Sequence, residues 1–315
     1  MYEIAGVHHI AIGVKNLETM KSFYKDIPGF KILEPPAAPN NIMSGIMRGI
    51  TPEFTVGMLS HDEGGIIIEL IHMITPFPRA IRRDSRYGDV GANKITIAVS
   101  DVNDLSRDFK EKVNILSGPR PVELPGYGSY NFVYLKDPEG NLIELVSGTK
   151  LPVNNQSGGV RWVGISVTDL ERSISFYRKY TGLDAFIIGP HENFSGLVDE
   201  VCGGEKARVR SCILSSSKGG GMVELYEVLE PRGRSIPSYT SWGDFGYLHT
   251  AMLCRNIAEI VDNFEKDGIE FFIKLQHVPG EEGTAFSYIR DPDGIPLEFL
   301  CFSETDKKLN KQRLE

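Results

Sequence analysis

Four glutamates stand in four apolar, strand-like runs: Ile66-Ile-Ile-Glu69-Leu, Asn141-Leu-Ile-Glu144-Leu, Gly221-Met-Val-Glu224-Leu and Ile295-Pro-Leu-Glu298-Phe. Upstream of each lies a short alternating run that opens with His9, Lys94, Trp162 or His249. Carboxylates and imidazoles move protons and ligate divalent metals, so these residues have chemistry to offer. Taken singly they say little. A Glu in an apolar strand usually sits on a solvated edge or face, and a lone His is usually a satisfied core or surface group. Four Glu at one place in four segments change that balance. A buried carboxylate is costly unless paired or metal-bound, so the repeated placement points to a common scaffold position facing a cleft.

The elements that must position these residues repeat as well. The opening strands are His9-Ile-Ala-Ile-Gly-Val14, Lys94-Ile-Thr-Ile-Ala-Val99, Trp162-Val-Gly-Ile-Ser-Val167 and His249-Thr-Ala-Met-Leu-Cys254. Three run into helix-start signals at Asn16, Asp101 and Thr168-Asp169, whose side chains can accept from the free amides of a first turn. Phe23 with Tyr24 and Phe176 with Tyr177 continue apolar stripes begun at Leu17 and Leu170, and Gly29 and Gly182 are expected to end those helices. Asp137-Pro138-Glu139-Gly140 and Asp291-Pro292-Asp293-Gly294 read as turns before two of the closing strands.

Spacing shows duplication by pairs. Opening residue and Glu are 60 residues apart in the first repeat (9 to 69) and 62 in the third (162 to 224), against 50 (94 to 144) and 49 (249 to 298) in the others. The gap from Glu to the next opening is 25 residues in both halves (69 to 94, 224 to 249). Two tandem domains follow: 1–150, with modules 1–90 and 91–150, and 151–303, with modules 159–245 and 246–303. The polar stretch from Pro152 to Gly159 joins them, and 304–315 is a charged tail.

Across 315 residues there are 34 Lys+Arg against 42 Asp+Glu, a net charge of −8, with 41% hydrophobic and 24% charged residues. That is the balance of a soluble globular protein, and its acidity argues against nucleic-acid partners. No apolar run approaches membrane-span length, and the N-terminus lacks a signal peptide's basic start. Cys202, Cys212, Cys254 and Cys301 lack CxxC spacing and read as core thiols of a reducing compartment, so a cytoplasmic location without membrane contact is expected.

Strand–helix–strands units with His in the first strand and Glu in the last resemble the vicinal oxygen chelate superfamily, which includes glyoxalase I, extradiol dioxygenases, epimerases and bleomycin-resistance proteins. The resemblance spans about residues 5–302. It implies an α+β fold of four βαβββ modules in two tandem glyoxalase/dioxygenase-like domains, each with a cupped, mostly antiparallel sheet. It also implies that two modules form one cleft, whose metal takes one opening residue and one closing Glu from each.

Among the opening residues only His9 and His249 ligate well, because Lys is a cationic donor and Trp has no usable lone pair. Pairing neighbours gives two incomplete sets: His9, Glu69 and Glu144, and Glu224, His249 and Glu298. Pairing module one with module four gives a complete set of His9, Glu69, His249 and Glu298, as in some single-chain relatives of the glyoxalase I branch. Lys94, Glu144, Trp162 and Glu224 are then left metal-free, with Lys94 able to neutralise Glu144 or bind an anion. Two imidazoles and two carboxylates without thiolate suit one divalent ion: zinc, nickel, cobalt, manganese or iron. His8 is expected on the opposite strand face from His9, in a structural role.

The activity implied is that of a metal-dependent lyase, isomerase or epimerase acting on a small oxygenated carbonyl compound through a metal-stabilised enolate, with Glu69 or Glu298 as base. The enzyme is expected as a monomer or homodimer with a small-molecule substrate. An Fe(II) ring-cleaving dioxygenase is the alternative, weakened because its usual module-three His is Trp162 here. Tyr288 and Tyr134, each ten residues before a closing Glu, read as repeat structure. A metal-free ligand-sequestering protein is the second alternative. Arg48, Arg79, Arg82, Arg83 and Arg86 could serve a substrate's carboxylates or form a solvated basic face. His61, His72, His191 and His277 have no assigned part, and are expected at the surface or behind the site. The glycine runs Lys218-Gly-Gly-Gly221 and Cys202-Gly-Gly-Glu205 read as turns and do not have P-loop spacing.

Overall fold

A computed structural model describes residues 3–34, 50–109, 113–124, 128–148, 158–192, 198–202 and 206–302. Arg48, the joining stretch 151–157, Gly203 to Glu205 and the tail 304–315 lie outside the described residues.

Each module runs strand, helix, strands, as the repeats predict. Module one is β1 (Glu3–Gly13), α1 (Leu17–Lys25), β2 (Phe30–Leu33), β3 (Glu53–His61) and β4 (Ile67–Thr75). Module two is β5 (Gly91–Ala98), α2 (Val102–Phe109), β6 (Asn114–Ile115), β7 (Arg120–Leu124), β8 (Gly128–Lys136) and β9 (Leu142–Ser147). Its second strand is broken at Ser117-Gly118-Pro119, where proline offers no ladder donor, so β6 and β7 each pair separately with β8. Module three is β10 (Gly159–Ser166), α3 (Leu170–Tyr180), β11 (Ala185–Glu192), β12 (Arg208–Ser215) and β13 (Met222–Glu230). Module four is β14 (Gly246–Arg255), α4 (Ile257–Lys266), β15 (Phe271–His277), β16 (Ala285–Arg290) and β17 (Pro296–Cys301). Among the described residues no helix is long and apolar enough to cross a membrane.

The sheets join modules across the midpoint of the chain. One has the order β15-β16-β17-β14-β1-β4-β3-β2, which is module four against module one. The other runs β11-β12-β13-β10-β5-β9-β8-β6, which is module three against module two. In both, the two opening strands pair antiparallel at the centre, and each lies parallel to the closing strand of its own module. All other neighbours are antiparallel, so both sheets are mixed but mostly antiparallel. One face of each sheet buries a shared apolar core against the helices, including Tyr24, Met20, Tyr177 and Phe264. The turn at Lys218–Gly221 ties the sheets together. Gly219 accepts from the Gly6 N–H at 2.7 Å, and a Cβ on Gly220, at φ +86°, would lie 2.8 Å from the Gly6 backbone.

The helix starts follow the predicted signals. Asn16 accepts from the Thr19 N–H and Asp169 from the Arg172 N–H, each at 3.0 Å. Gly182, at φ +69°, directly follows the C-cap of α3 as expected, whereas α1 stops at Lys25 with Asp26 as its cap. Gly29 instead turns the chain into β2.

The two Asp-Pro turns do more than reverse the chain. Glu139 of module two accepts from the Lys15 and Asn16 N–H groups of module one at 2.8–2.9 Å, and Asp293 of module four accepts from the Thr168 N–H of module three at 2.9 Å. Tyr24 donates to Asp137 and Tyr177 to Asp291, each at 3.2 Å. Neighbouring modules are thus clamped through turns and helix starts, while the sheets pair outer with outer and inner with inner. Glu139→Ala removes an anion from a helix N-terminus together with three accepted bonds. It is expected to cost about 1–2 kcal/mol, read by urea unfolding.

Candidate metal centre

Strand register brings the four outer residues together. His9 and Glu69 project from adjacent parallel strands β1 and β4, and His249 and Glu298 from β14 and β17. Across the β1/β14 seam, His9 faces Ala251 and Ala11 faces His249, so small side chains leave the two imidazoles room over one spot. His9 Nε2 lies 3.1 Å from a Glu298 oxygen and 3.5 Å from a Glu69 oxygen. His249 Nε2 lies 3.1 Å and 3.8 Å from the same two atoms. Donors about 2.1 Å from a common ion stand roughly 3–3.5 Å apart, so this spacing fits a first-row divalent metal. Donor atoms of His9, Glu69 and His249 all fall within 4.8 Å of one another. His9 Nε2 is buried, yet meets neither carboxylate with hydrogen-bond geometry, as expected of a nitrogen aimed at a shared point.

The two carboxylates differ. Glu298 is held evenly between both imidazoles, its side chain 8% exposed, whereas that of Glu69 is 20% exposed and more distant from each. Burial would raise the Glu298 pKa, but the two imidazoles outweigh it and hold it well below the carboxylate range. Burial likewise opposes a proton on His9, but Glu69 and Glu298 raise its pKa above the ordinary value. Two apolar clusters adjoin the site: Ala11, which faces His249, packs with Phe54, Ile71, Met73, Leu248 and Trp242, and Tyr288 packs with Phe272, Ile273 and Phe286.

His8 is not simply turned away from His9. A bulge between Val7 and His9 breaks the alternation, and His8 Nδ1 comes within 3.0 Å of His9 Nδ1. His8 therefore braces the ring of its neighbour, a contact that period-two reasoning misses. Tyr288 also belongs to the site. Its hydroxyl is 3.3 Å from His249 Nε2, and burial, then Glu298 and Glu69, push its pKa well up, so it stays protonated. The ten-residue Tyr-to-Glu spacing was the signal for this contact.

The inner residues form a second, closed centre. Lys94 Nζ bonds Glu144 and lies 2.7 Å from Glu224. Tyr134 donates to Glu144 at 2.9 Å, Thr96 to Glu144 at 2.6 Å, and Trp162 Nε1 to Glu224 at 3.1 Å. The ammonium thus stands where a cation would sit between the two closing glutamates, and side-chain donors bond both carboxylates. Gly164 makes room for it, because a Cβ there would lie 2.5 Å from Lys94 Cγ. A void of about 20 Å³ remains beside Glu144 and Glu224, space for roughly one water. Burial would lower the Lys94 pKa, but Glu144 and Glu224 together raise it, and burial raises that of Glu224.

The other candidates are dispersed. His61 bonds the Pro28 carbonyl, His72 faces the Val14 carbonyl, and His277 is exposed on β15. His191 lines the inner void. Arg86 pairs with Asp84 at the surface, while Arg79, Arg82 and Arg83 face a cavity between the two halves.

A family profile described as "Glyoxalase/Bleomycin resistance protein/Dioxygenase superfamily" matches residues 6–145 and 159–299. The chain is 26% identical over 182 residues to "Lactoylglutathione lyase GLX1" of Arabidopsis thaliana, covering 56% of this chain and 54% of that protein, so the match spans about half the plant protein's length. It is 28% identical over 149 residues to "Methylmalonyl-CoA epimerase, mitochondrial" of Homo sapiens, covering 46% of this chain and 75% of that protein. The structure of glyoxalase I from Zea mays superposes with a TM-score of 0.64 at 20% identity, covering 100% of this chain and 96% of that one.

Proposed function

Because the chain belongs to the glyoxalase/bleomycin resistance protein/dioxygenase superfamily, we propose that it is a metal-dependent lyase, isomerase or epimerase of small oxygenated carbonyl compounds. His9, His249 and Glu298 hold the ion, and Glu69 is both its fourth, displaceable ligand and the base. The observation that carries this reading is that both Nε2 atoms lie within 3.8 Å of an oxygen of each carboxylate. A divalent ion there would act as a Lewis acid on the substrate carbonyl. Glu69, looser and more exposed than Glu298, takes a proton from the adjacent carbon and returns it to a neighbouring carbon; epimerisation would draw the returning proton from a second donor on the opposite face. Glu298 stays in place, gripped by two imidazoles.

Ring cleavage finds less support. In that resemblance the opening residues of modules three and four share an iron, but here Trp162 and His249 lie on different sheets and Trp162 is bound to Glu224.

Elemental analysis of purified protein is expected to find one divalent ion per chain, lost in both His9→Ala and His249→Ala. Two ions, with each variant losing one, would overturn the shared centre, and a wild type that takes up no metal would return the chain to a sequestering role. The relatives' names direct the first activity assays to lactoylglutathione and methylmalonyl-CoA.

A further inference from the structure

A cavity of about 730 Å³ lies between the two halves, bounded by the Asp-Pro turns of modules two and four and by the segments that enter β5 and β14. Six cationic side chains line it: Lys15, Arg79, Arg82, Arg83, Lys136 and Arg290. Only Glu139 and Asp293 bring carboxylates, and both are engaged elsewhere. Glu139 accepts backbone N–H groups of Lys15 and Asn16, and Asp293 accepts from Thr168 and pairs with Arg172 at 2.6 Å.

Apart from Arg82, the cations are held but not neutralised. Lys136 Nζ donates to the Ser85 carbonyl at 2.7 Å. Arg290 donates to the Gly294 carbonyl at 2.8 Å and lies over the Phe272 ring at 4.6 Å. Lys15 Nζ stands over Phe245. Arg82 donates to the Val90, Arg234 and Ser235 carbonyls, with Asp89 3.6 Å away. Among the described residues no carboxylate lies within 4.0 Å of the charged groups of Lys15, Arg79, Arg83, Lys136 or Arg290. In a chain of net charge −8, an excess of uncompensated cations around one concavity is a focused positive field. The remaining wall is apolar, with Ile236, Leu248, Trp242 and Phe272, and the volume suits a small organic molecule.

We propose that this cavity is a binding site for an organic phosphate, its phosphate held by Lys136, Arg290 and the neighbouring cations and its apolar body lying against Trp242 and Phe272. Its lining includes none of His9, Glu69, His249 or Glu298, although Leu248, Trp242 and Phe272 belong to the apolar clusters beside those residues, and it does not depend on a metal being bound there.

Calorimetric titration with 1-naphthyl phosphate in EDTA-containing buffer at low salt tests it. One molecule is expected to bind per chain, with Kd at least tenfold weaker in Lys136→Met and, separately, in Arg290→Met. It should be unchanged in Lys274→Met, a solvent-facing control on β15, and in His9→Ala. Neutral 1-naphthol and inorganic phosphate should each bind at least tenfold more weakly than the combined probe. No binding at millimolar probe, or wild-type affinity in both cavity variants, would overturn the site. Loss in His9→Ala would move the phosphate to the outer centre and overturn it too, and equal affinity for inorganic phosphate would overturn the organic ligand. The metal content of the protein has no bearing on any of these readings.

Discussion

Glu69→Gln is expected to retain one divalent ion per chain and to lose turnover by about two to four orders of magnitude, the range for removing a positioned proton-transfer group. The amide oxygen can still approach the ion as a weak ligand, and His9, His249 and Glu298 are undisturbed. What is lost is the site that accepts a proton. Glu298→Gln separates the two carboxylates. It breaks a group gripped at 3.1 Å by both imidazoles, so its expected phenotype is metal loss first and inactivity as the result. Parallel measurement of kcat and metal content on the two variants decides between these roles. A Glu69→Gln protein that is active when fully loaded would remove Glu69 as base, and one that cannot be loaded would make it a fixed ligand.

Lys94→Met is expected to cost about 3–5 kcal/mol of folding stability, because it leaves Glu144 and Glu224 facing each other without the cation between them. The loss should depend on pH with a definite sign. Burial and the neighbouring carboxylate favour the protonated form of a Glu in the folded state, so its folded pKa lies above its unfolded one, as already holds for Glu224. Such a group adds stability below the unfolded value, and that stability is lost as pH rises through the folded value. The variant should therefore be closest to wild type near pH 4–5 and furthest from it near pH 8. Adding Glu224→Gln should recover part of the loss at high pH. Urea unfolding across that range checks both points, and a difference below about 1 kcal/mol at pH 8 would show that the ammonium is not needed.

Much of this architecture was legible before any coordinates. The recurrence of His, Glu and Asp-Pro turns at matched offsets located four modules, and the survival of both histidines in the outer pair pointed to the sheet that now joins modules one and four. What escaped were contacts without a periodic signature. The His8–His9 pair depends on a bulge that adds one residue to a strand, and alternation cannot register it. The grip of Glu139 on Lys15 and Asn16 links residues more than a hundred positions apart. From its residue type alone, Lys94 is unable to ligate a metal and able to neutralise Glu144. Its bridge to both closing glutamates needs the absence of a side chain at Gly164, visible only once the strands are in register.

The seam between β1 and β14 also sets a schedule for making the protein. At roughly 5–20 residues per second a ribosome delivers His249 many seconds after His9. The inner sheet can close as soon as module three emerges, whereas β1 must wait with an unpaired edge until the last module is made. His9 is thus made well before His249 and Glu298 and must wait for them, and an exposed strand edge invites pairing with other chains meanwhile. A nascent chain stalled before module four would carry His9 and Glu69 without His249 and Glu298, beside a finished inner centre. Loss of module four would then remove half of the outer four residues at one step rather than by degrees.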